Sequence, residues 1–245
     1  MSRELFDKEK EERRARNLAF AERGVKFTDI ETAYIDADTE IGPGSEIGPC
    51  VTIEAGSEIG SGCVIGQGCV ISASRVHDGA RVEQNSRVID SIVGAGARIL
   101  LSVLTECVVG ENSTVGPFAY LRPDSDVGRD VKIGDFVEIK NSRIGDGTKV
   151  SHLTYVGDSD LGEHINLGCG VVFVNYDGVE KHRSVVEDGA FIGCNVNIVS
   201  PVNVGENAYI AAGTTVTTDV PAGNLSVGRA RTKNIPGWVE RRKKG

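Results

Sequence analysis

The chain has 245 residues with 31 glycines, 5% aromatic residues, a formal net charge of −8 at pH 7 and a sequence pI near 5.1. This acidic balance argues against a protein that coats nucleic acid, although it leaves room for a local basic pocket. No apolar run reaches the length of a membrane span and no export signal opens the chain, so a cytoplasmic protein is predicted. The six cysteines include no CxxC pair and are predicted to be reduced and mostly buried.

Residues 1–24 are predicted to be a linker-like α-helix. Between Ser2 and Arg23, acidic residues precede basic ones, which suits the helix dipole, and no glycine or proline interrupts the segment. Leu5, Leu18 and Phe20 give this helix only a thin apolar side. Two interpretations stay open: a solvated helix that docks on the end of the next domain, or a linker from which another domain has been removed. The second is favoured.

Residues 25–220 carry a repeat of six residues. It is clearest at its start, where isoleucine recurs at every sixth position: Ile35, Ile41, Ile47, Ile53, Ile59, Ile65 and Ile71. This period is neither helical nor the alternation of a lone strand, and it is typical of a hexapeptide β-helix. Each hexad forms one flat side of a coil, with its aliphatic residue pointing inward. Five-residue steps trim a corner, and the pattern is blurred between Leu100 and Val108.

Two segments depart from this repeat. Residues 174–184 are polar and charged, so they are predicted to protrude as a loop from the coil, and long loops on rigid scaffolds are frequent sites of function. The repeat ends near Pro221. Residues 221–245 form a basic tail, predicted to be a solvated end.

Stacked coils predict which side chains are neighbours, because equivalent residues lie about 4.8 Å apart. Arg122 and Lys140 should share one column, where two cations repel each other unless an anion lies near them. Either a bound phosphate or neighbouring carboxylates of the protein would satisfy this requirement. Asp135, His152 and Cys169 should form a second column, in which His152 is either a general base or a hydrogen-bonded structural residue.

Several motifs are more specific than the repeat. Residues 152–158 read HLTYVGD, and residues 175–178 read NYDG with a lysine three positions later. Together with LRP at 121–123, IGDFVEIK at 133–140 and IAAGTT at 210–215, they resemble, in sequence and order, the acetyltransferase half of a bifunctional enzyme family. That family is N-acetylglucosamine-1-phosphate uridyltransferase/glucosamine-1-phosphate acetyltransferase, which makes UDP-N-acetylglucosamine. The resemblance is strong over 116–217 and extends more weakly over about 23–238.

The resemblance implies an all-β fold, a left-handed parallel β-helix of hexapeptide repeats with a short N-terminal α-helix. The left-handed connections between its parallel strands are an exception to the usual right-handed crossover. It implies a homotrimer with active sites between subunits, acting on small molecules, with no nucleic acid and no membrane as partner. The expected reaction transfers acetyl from acetyl-CoA, the co-substrate, to the amine of glucosamine 1-phosphate. No metal is expected for this step. Since no nucleotide-binding domain precedes the helix, neither uridylyl transfer nor its magnesium is expected.

The resemblance also implies residue roles. His152 would be the base, with Glu138 as its orienting carboxylate, in competition with Asp135 from the column argument. The tetrahedral oxyanion needs fixed donors, for which the Asn175 side chain and the backbone N–H of Cys169 are the candidates. The sugar phosphate would be bound by Arg122, Lys140, Tyr155, Asn166 and Lys181. Acetyl-CoA would be bound by Cys169, Asn175, Tyr176, Cys194, Ala212 and Arg229.

Two other functions stay open at this stage. One is a hexapeptide acyltransferase that acts on another amino sugar or nucleotide sugar, which a preference for a sugar without the 1-phosphate would favour. The other is a non-catalytic trimeric β-helix that serves as a scaffold, which would not bind CoA. The ordered set of motifs favours glucosamine-1-phosphate acetyl transfer over both.

Overall fold

The structure is a computed structural model that describes residues 3–243. Ser2 and Lys244, which the sequence predictions placed in the N-terminal helix and the basic tail, lie outside the described residues. Two helices, α1 (Arg3–Glu22) and α2 (Trp238–Arg242), flank a long series of very short strands. Neither described helix has the length and apolar character that crossing a membrane requires.

The strands are two to four residues long, because each hexad leaves room for only a few extended residues before the next corner. In chain order they are β1 Lys26–Phe27, β2 Tyr34–Ile35, β3 Glu40–Ile41, β4 Glu46–Ile47, β5 Thr52–Ile53, β6 Glu58–Ile59, β7 Val64–Ile65, β8 Val70–Ser72, β9 Arg75–Val76, β10 Arg81–Val82, β11 Arg87–Ile89, β12 Ile92–Val93, β13 Arg98–Ile99, β14 Val103–Thr105, β15 Cys107–Val109, β16 Thr114–Val115, β17 Tyr120–Leu121, β18 Ser125–Val127, β19 Lys132–Asp135, β20 Glu138–Lys140, β21 Arg143–Ile144, β22 Lys149–His152, β23 Tyr155–Gly157, β24 Ser159–Leu161, β25 Asn166–Leu167, β26 Val172–Val174, β27 Ser184–Val186, β28 Phe191–Ile192, β29 Asn197–Val199, β30 Asn203–Val204, β31 Tyr209–Ile210, β32 Thr215–Val216 and β33 Leu225–Ser226.

These strands form the three sides of a prism, each side a parallel sheet. Side A is the 12-stranded sheet that contains β1 and every third strand up to β31, followed by β33. Side B is the 11-stranded sheet from β2 to β32, and side C is the 10-stranded sheet from β3 to β30. The chain runs from side A over the A–B corner to side B, and then over the B–C corner to side C. The predicted left-handed parallel β-helix is confirmed, and it continues one strand beyond the predicted end at 220.

The inside of the prism is filled by the aliphatic residues that the six-residue step singled out. On side B the inward column is almost completely buried: Ile35, Ile53, Ile71, Val88, Leu104, Leu121, Ile139, Val156, Phe173, Ile198 and Val216. Leu104 is the inward residue in the region where the sequence pattern was blurred, and the register pairs it with Val88 and Leu121. Burial of each such side chain contributes about 1.5–3 kcal/mol, so the stack is the main source of stability.

The N-terminal helix α1 packs against the first coil through a few residues near its end. Phe20 and Asn17 are buried, and the Asn17 amide donates hydrogen bonds of 2.9 and 3.0 Å to two backbone carbonyls of the following segment. Leu5 and Leu18, which the sequence analysis placed on the apolar side, are exposed. Arg13 and Arg16 also donate to backbone carbonyls of the first coil, so the helix docks mainly through one aromatic ring and polar side chains, not through an apolar stripe.

The A–B corner carries bulky apolar residues in an unusual backbone conformation. Leu101, Phe118, Phe136 and Leu153 follow one another in successive coils with φ between +41° and +59°, a region that costs ordinary L-residues roughly 1–2 kcal/mol each. Phe118, Phe136 and Leu153 are 56%, 58% and 57% exposed, and the two phenylalanine rings stack with centroids 5.5 Å apart. These four residues are termed the apolar corner. Nothing in the coil itself requires large apolar side chains there.

Close contact between coils at Gly134 gives a test of the fold. A Cβ on Gly134 would lie 1.9 Å from the carbonyl oxygen of Ser151 in the next coil. Gly134→Ala should therefore reduce the free energy of unfolding by more than Gly62→Ala does. Gly62 has open space around its Cβ position, so its substitution costs only about 1–2 kcal/mol for the left-handed backbone. Chemical denaturation followed by circular dichroism measures both losses, and equal losses would contradict the packing described.

Candidate active site

The imidazole of His152 and the carboxylate of Asp135 meet at the A–B corner. The register of β19 and β22 places the two residues opposite each other, and Nδ1 of His152 lies 2.5 Å from Oδ1 of Asp135. The column that the hexad phase predicted is therefore present. Glu138, which the resemblance suggested as the orienting carboxylate, does not contact His152, because it projects from side B beyond the Phe136 corner. Within one chain Asp135 is therefore the carboxylate beside His152, and a role for Glu138 there stays a prediction.

The contact favours one form of His152. A hydrogen bond from the imidazole lowers the pKa of the Asp135 carboxyl below its ordinary value, so Asp135 is ionised at neutral pH. A carboxylate beside Nδ1 stabilises the tautomer with its proton on Nδ1, which leaves Nε2 as an acceptor. The His152 side chain is 56% exposed, so a substrate can reach Nε2. This arrangement is suited to general base catalysis.

Side B carries the two predicted stacked cations, and each has a carboxylate beside it. Nη1 of Arg122 lies 2.7 Å from Oε1 of Glu138, and this hydrogen bond raises the pKa of the guanidinium. Nζ of Lys140 lies 3.7 Å from Oδ1 of Asp158. Glu138 and Asp158 thus match one of the two alternatives for neutralising this column, the protein's own carboxylates.

A third cation reaches this cluster from the segment 175–183, which connects β26 to β27. This segment, termed the side B loop, is closed by an antiparallel bridge between Tyr176 and Lys181. Lys181 forms no ion pair with any carboxylate in the range 3–243, and the neighbouring ammonium group of Lys140 lowers the pKa of Lys181. Two carboxylates thus face three cations. The cluster has a net positive charge, and a bound anion would relieve the repulsion between the two lysines.

Asp158 is the buried centre of the cluster, and the sequence analysis did not single it out. Its side chain is 8% exposed and accepts hydrogen bonds from the amides of Asn141, at 2.5 Å, and Asn175. Burial raises the pKa of its carboxyl, but the two hydrogen bonds and the charges of Lys140 and Lys181 outweigh burial and lower it. An aspartate at a corner of the hexad pattern looks like an ordinary turn residue, which is why it was missed.

Asn175 is one of the two predicted oxyanion donors, and its donors are already used. Its amide nitrogen donates to Asp158 and lies 3.4 Å from the hydroxyl oxygen of Tyr155, while its backbone N–H donates to the carbonyl of Phe173. The oxyanion role predicted for this side chain does not fit that arrangement. The backbone N–H of Cys169, the other predicted donor, bonds to no residue of the described chain.

Three of the residues predicted to bind acetyl-CoA extend the His152 column along the A–B corner. The register places Cys169, Cys194 and Ala212 below His152, one coil after another. In the coils after Leu153, the residues equivalent to those of the apolar corner are Gly170, Asn195 and Gly213, which have small side chains. The side chain of Arg229 lies 3.8 Å from the position that a Cβ on Gly213 would occupy. This stretch of the corner therefore has only small side chains and ends beside the Arg229 guanidinium side chain; it is termed the track. Tyr176 lies apart from the track, on the exposed side B loop.

Within one chain, the predicted sugar-binding residues lie on two different sides of the prism. Arg122, Lys140 and Tyr155 lie on side B with Lys181 beside them, whereas Asn166 lies in β25 on side A. A convex corner separates the two sides. One chain therefore cannot surround a small sugar with residues of both sides.

A groove of about 740 Å³ lies elsewhere, on side C. Its lining is rich in carboxylates, including Asp90, Glu106 and Asp124, and it contains none of the predicted site residues. No group of three or more histidine, cysteine, aspartate or glutamate side chains within residues 3–243 is arranged to hold a metal ion.

Sequence profiles and known relatives match this chain over most of its length. The profile of the GMPPB C-terminal domain matches residues 30–111, and that of the bacterial transferase hexapeptide (six repeats) matches residues 106–141 and 183–218. The bifunctional protein GlmU of Clostridium perfringens (strain SM101 / Type A) is 57% identical over 154 residues, which cover 63% of this chain and 34% of that protein. GlmU of Caldicellulosiruptor saccharolyticus is 47% identical over 240 residues, which cover 98% of this chain and 48% of that protein. The chain spans less than half the length of each of these relatives.

Among solved structures, a mutant of perosamine N-acetyltransferase from Caulobacter crescentus, in complex with CoA and GDP-perosamine, aligns at 25% identity. The alignment covers 50% of this chain and 57% of that chain, with a TM-score of 0.43. A superposition this loose says nothing about individual site residues.

The hydrogen bond between His152 and Asp135 can be tested by titration. In His152→Ala the Asp135 carboxyl loses this donor, so its pKa should rise toward the ordinary value of about 3.9. Nuclear magnetic resonance of the aspartate carboxyl carbons measures the change. Asp146, whose pKa is lowered by Arg129, is the internal control and should titrate as before. An ordinary Asp135 pKa in the unsubstituted protein would contradict the contact.

Proposed function

Because this chain is a homologue of the GlmU proteins over almost its whole length and folds as a hexapeptide β-helix, we propose that it transfers acetyl from acetyl-CoA to the amine of glucosamine 1-phosphate. The product is N-acetylglucosamine 1-phosphate. One observation carries the proposal: an oriented, exposed imidazole at the A–B corner accompanies a cluster of three cations on side B, to which the resemblance assigns the sugar phosphate.

His152 supplies the base in this reaction. An amine attacks a thioester only through its lone pair, so its proton must be taken up as the new bond forms. Nε2 of His152 accepts this proton. Asp135, which accepts the Nδ1–H, holds the ring in place and stabilises the imidazolium that results.

Acetyl transfer is direct. The amine nitrogen bonds to the thioester carbon, and the carbonyl oxygen becomes an oxyanion that accepts a hydrogen bond from the unused backbone N–H of Cys169. The carbon–sulfur bond then breaks, and CoA leaves as a thiolate that takes up the proton from His152. No protein thiol is acylated. Cys169 and Cys194 act as small residues along the track, where the pantetheine arm lies with its phosphates toward Arg229.

The phosphate of the sugar is bound by Arg122, Lys140 and Lys181. In the free protein Glu138 and Asp158 already hold the first two cations in place, so little ordering is needed when the ligand arrives. The phosphate supplies the negative charge that the cluster lacks, and the guanidinium offers it paired donors. The hydroxyl of Tyr155 lies at this cluster, 3.4 Å from the Asn175 amide nitrogen, and contacts the sugar ring.

The complete site needs more than one copy of the chain, and we propose a homotrimer. Side A and side B of one prism point in different directions, so they cannot enclose a ligand between them. Side B of one copy, however, can face side A of the next copy. The partner subunit's Asn166 then reaches the sugar that Tyr155 contacts. The apolar corner lies directly beside His152 with three side chains more than half exposed, and a neighbouring prism would cover them.

A thiol-release assay tests the reaction. Acetyl-CoA and glucosamine 1-phosphate together should release free thiol, and glucosamine without the phosphate should be used at least about 10-fold less efficiently, because charged hydrogen bonds of about 1.5–3 kcal/mol are lost. His152→Ala should lower kcat by about 10²–10⁴-fold. His164→Ala, at a different corner, is the matched control and should keep the parent rate.

Absence of thiol release from folded protein would refute the proposed reaction. A better rate with a sugar that lacks the 1-phosphate would instead favour another amino-sugar acyltransferase. An unchanged rate in His152→Ala would remove the assigned base.

The assembly is tested by changing the apolar corner without straining it. Asparagine tolerates the left-handed backbone and already occupies this corner at Asn85 and Asn195. Phe118→Asn/Phe136→Asn should therefore cost the single prism only the stacking of the two rings, about 0.5–1.5 kcal/mol, while raising the dissociation constant of the assembly at least about 10-fold, since two rings buried in the interface are lost. Sedimentation measures both proteins at micromolar concentration. A parent protein that sediments as a stable monomer would rule out the shared site.

A further inference from the structure

The mechanism above leaves one buried ionised group without a role. We infer that Asp158 is a positioning residue that ties the cations of side B to the side B loop, so that the phosphate site and the segment that closes it are set by one carboxylate. This inference rests on the proposed function, because the ligand of the cations is the sugar phosphate.

Burial distinguishes Asp158 from the acids that share its column. Asp90, Glu106 and Asp124 occupy the same B–C corner in earlier coils, and all three are exposed. Asp158 adopts the same left-handed backbone, with φ of +49°, but lies under the side B loop with 8% of its side chain exposed. A turn residue gains nothing from burying a charge, which is costly unless the charge is paired. The burial therefore points to a role in the contacts that Asp158 makes.

Those contacts reach two separate segments. Oδ1 accepts from Asn141 at 2.5 Å and lies 3.7 Å from the Lys140 ammonium, both in the preceding coil. Oδ2 accepts from the amide of Asn175, the first residue of the side B loop. The backbone carbonyl of Asp158 accepts from the N–H of Ser184 at 3.2 Å, just after the loop ends. One residue therefore anchors both ends of the loop and one of the phosphate-binding cations.

The charges around Asp158 make its role electrostatic as well as geometric. Lys140 and Lys181 both face the carboxylate, and their charges help to lower its pKa. In return, Asp158 and Tyr155 oppose the lowering of the Lys181 pKa that the neighbouring Lys140 ammonium causes. Arg183 also lies near, but its guanidinium is paired with Asp160 at 2.5 Å. Asp158 is therefore the carboxylate that faces both ammonium groups and opposes the lowering of the Lys181 pKa.

Asp158→Asn keeps the size and shape of the side chain but removes its charge and one of its two acceptor oxygens. It therefore distinguishes a role of these groups from a role of side-chain volume alone. Asparagine offers one acceptor and one donor group where the carboxylate offers two acceptors. Two amide donors, from Asn141 and Asn175, would face it, so only one of them could keep its bond. The negative charge beside Lys181 would also be lost, so Lys181 would lose its proton at lower pH.

The experiment measures the pH dependence of kcat/KM for glucosamine 1-phosphate. The parent enzyme loses phosphate binding as pH rises through the pKa of Lys181, which gives an alkaline inflection. In Asp158→Asn this inflection should move to lower pH by about half a unit or more. Asp160→Asn is the matched control: it removes a carboxylate from the adjacent strand, paired with Arg183, and should leave the inflection in place.

A double variant guards against simple loss of folding. In Asp158→Asn/Asn175→Asp the amide of the new asparagine donates to the new aspartate, Asn141 keeps its acceptor, and the Tyr155 hydroxyl can donate to the aspartate. A negative charge also returns beside Lys181. Calorimetry of glucosamine 1-phosphate binding, which needs no turnover, should show the inflection return toward the parent value.

The outcomes are distinct. No thiol release by the parent enzyme refutes the proposed function itself. A working parent enzyme whose inflection is unchanged in Asp158→Asn overturns the role of Asp158 and leaves the proposed function intact. The binding inflection of the folded double variant is compared with those of the parent and of Asp158→Asn. If it stays at the Asp158→Asn value, the role of Asp158 is also overturned.

Discussion

The coil-to-coil register of the parallel strands is the constraint on which the rest of this protein depends. Backbone hydrogen bonds join each coil to the coils before and after it in a fixed register, so side chains separated by about one coil of sequence stand in columns roughly 4.8 Å apart. The Asp135–His152 contact, the line from His152 through Cys169 to Ala212 and the stacked Arg122 and Lys140 all follow from it. The fold therefore converts a one-dimensional spacing into the geometry of the site.

The same register creates a problem of like charges, which the chain solves with its own carboxylates. Arg122 and Lys140 are neutralised by Glu138 and Asp158, and the third cation, Lys181, remains in excess. Backbone register and the bridge that closes the side B loop hold these groups in place. The excess positive charge would favour a bound anion, and little conformational entropy would be lost on binding.

Sequence reasoning succeeded where the six-residue period was sufficient. The inward ladder and the Asp135–His152 column depend only on phase, and both are present. The phase placed Asp135 beside His152, whereas the resemblance suggested Glu138, and within one chain Asp135 is the carboxylate in contact, because the turn at Phe136 carries Glu138 onto side B. Asp158 was missed because its burial comes from the side B loop, which carries no period. The resemblance grouped Lys181 with Lys140, but the six-residue period could not, since their approach depends on how that loop folds back.

The central claim is that the coil register and the side B loop together gather three cations and an imidazole around one phosphorylated amino sugar. A crystal structure with glucosamine 1-phosphate and a non-reactive CoA analogue tests it most directly. The phosphate oxygens should lie about 2.7–2.9 Å from the charged groups of Arg122, Lys140 and Lys181, with the amine about 2.6–3.2 Å from Nε2 of a His152 in the assembly. A phosphate bound elsewhere while Arg122 stays paired only with Glu138, or an amine remote from every His152, would contradict the account.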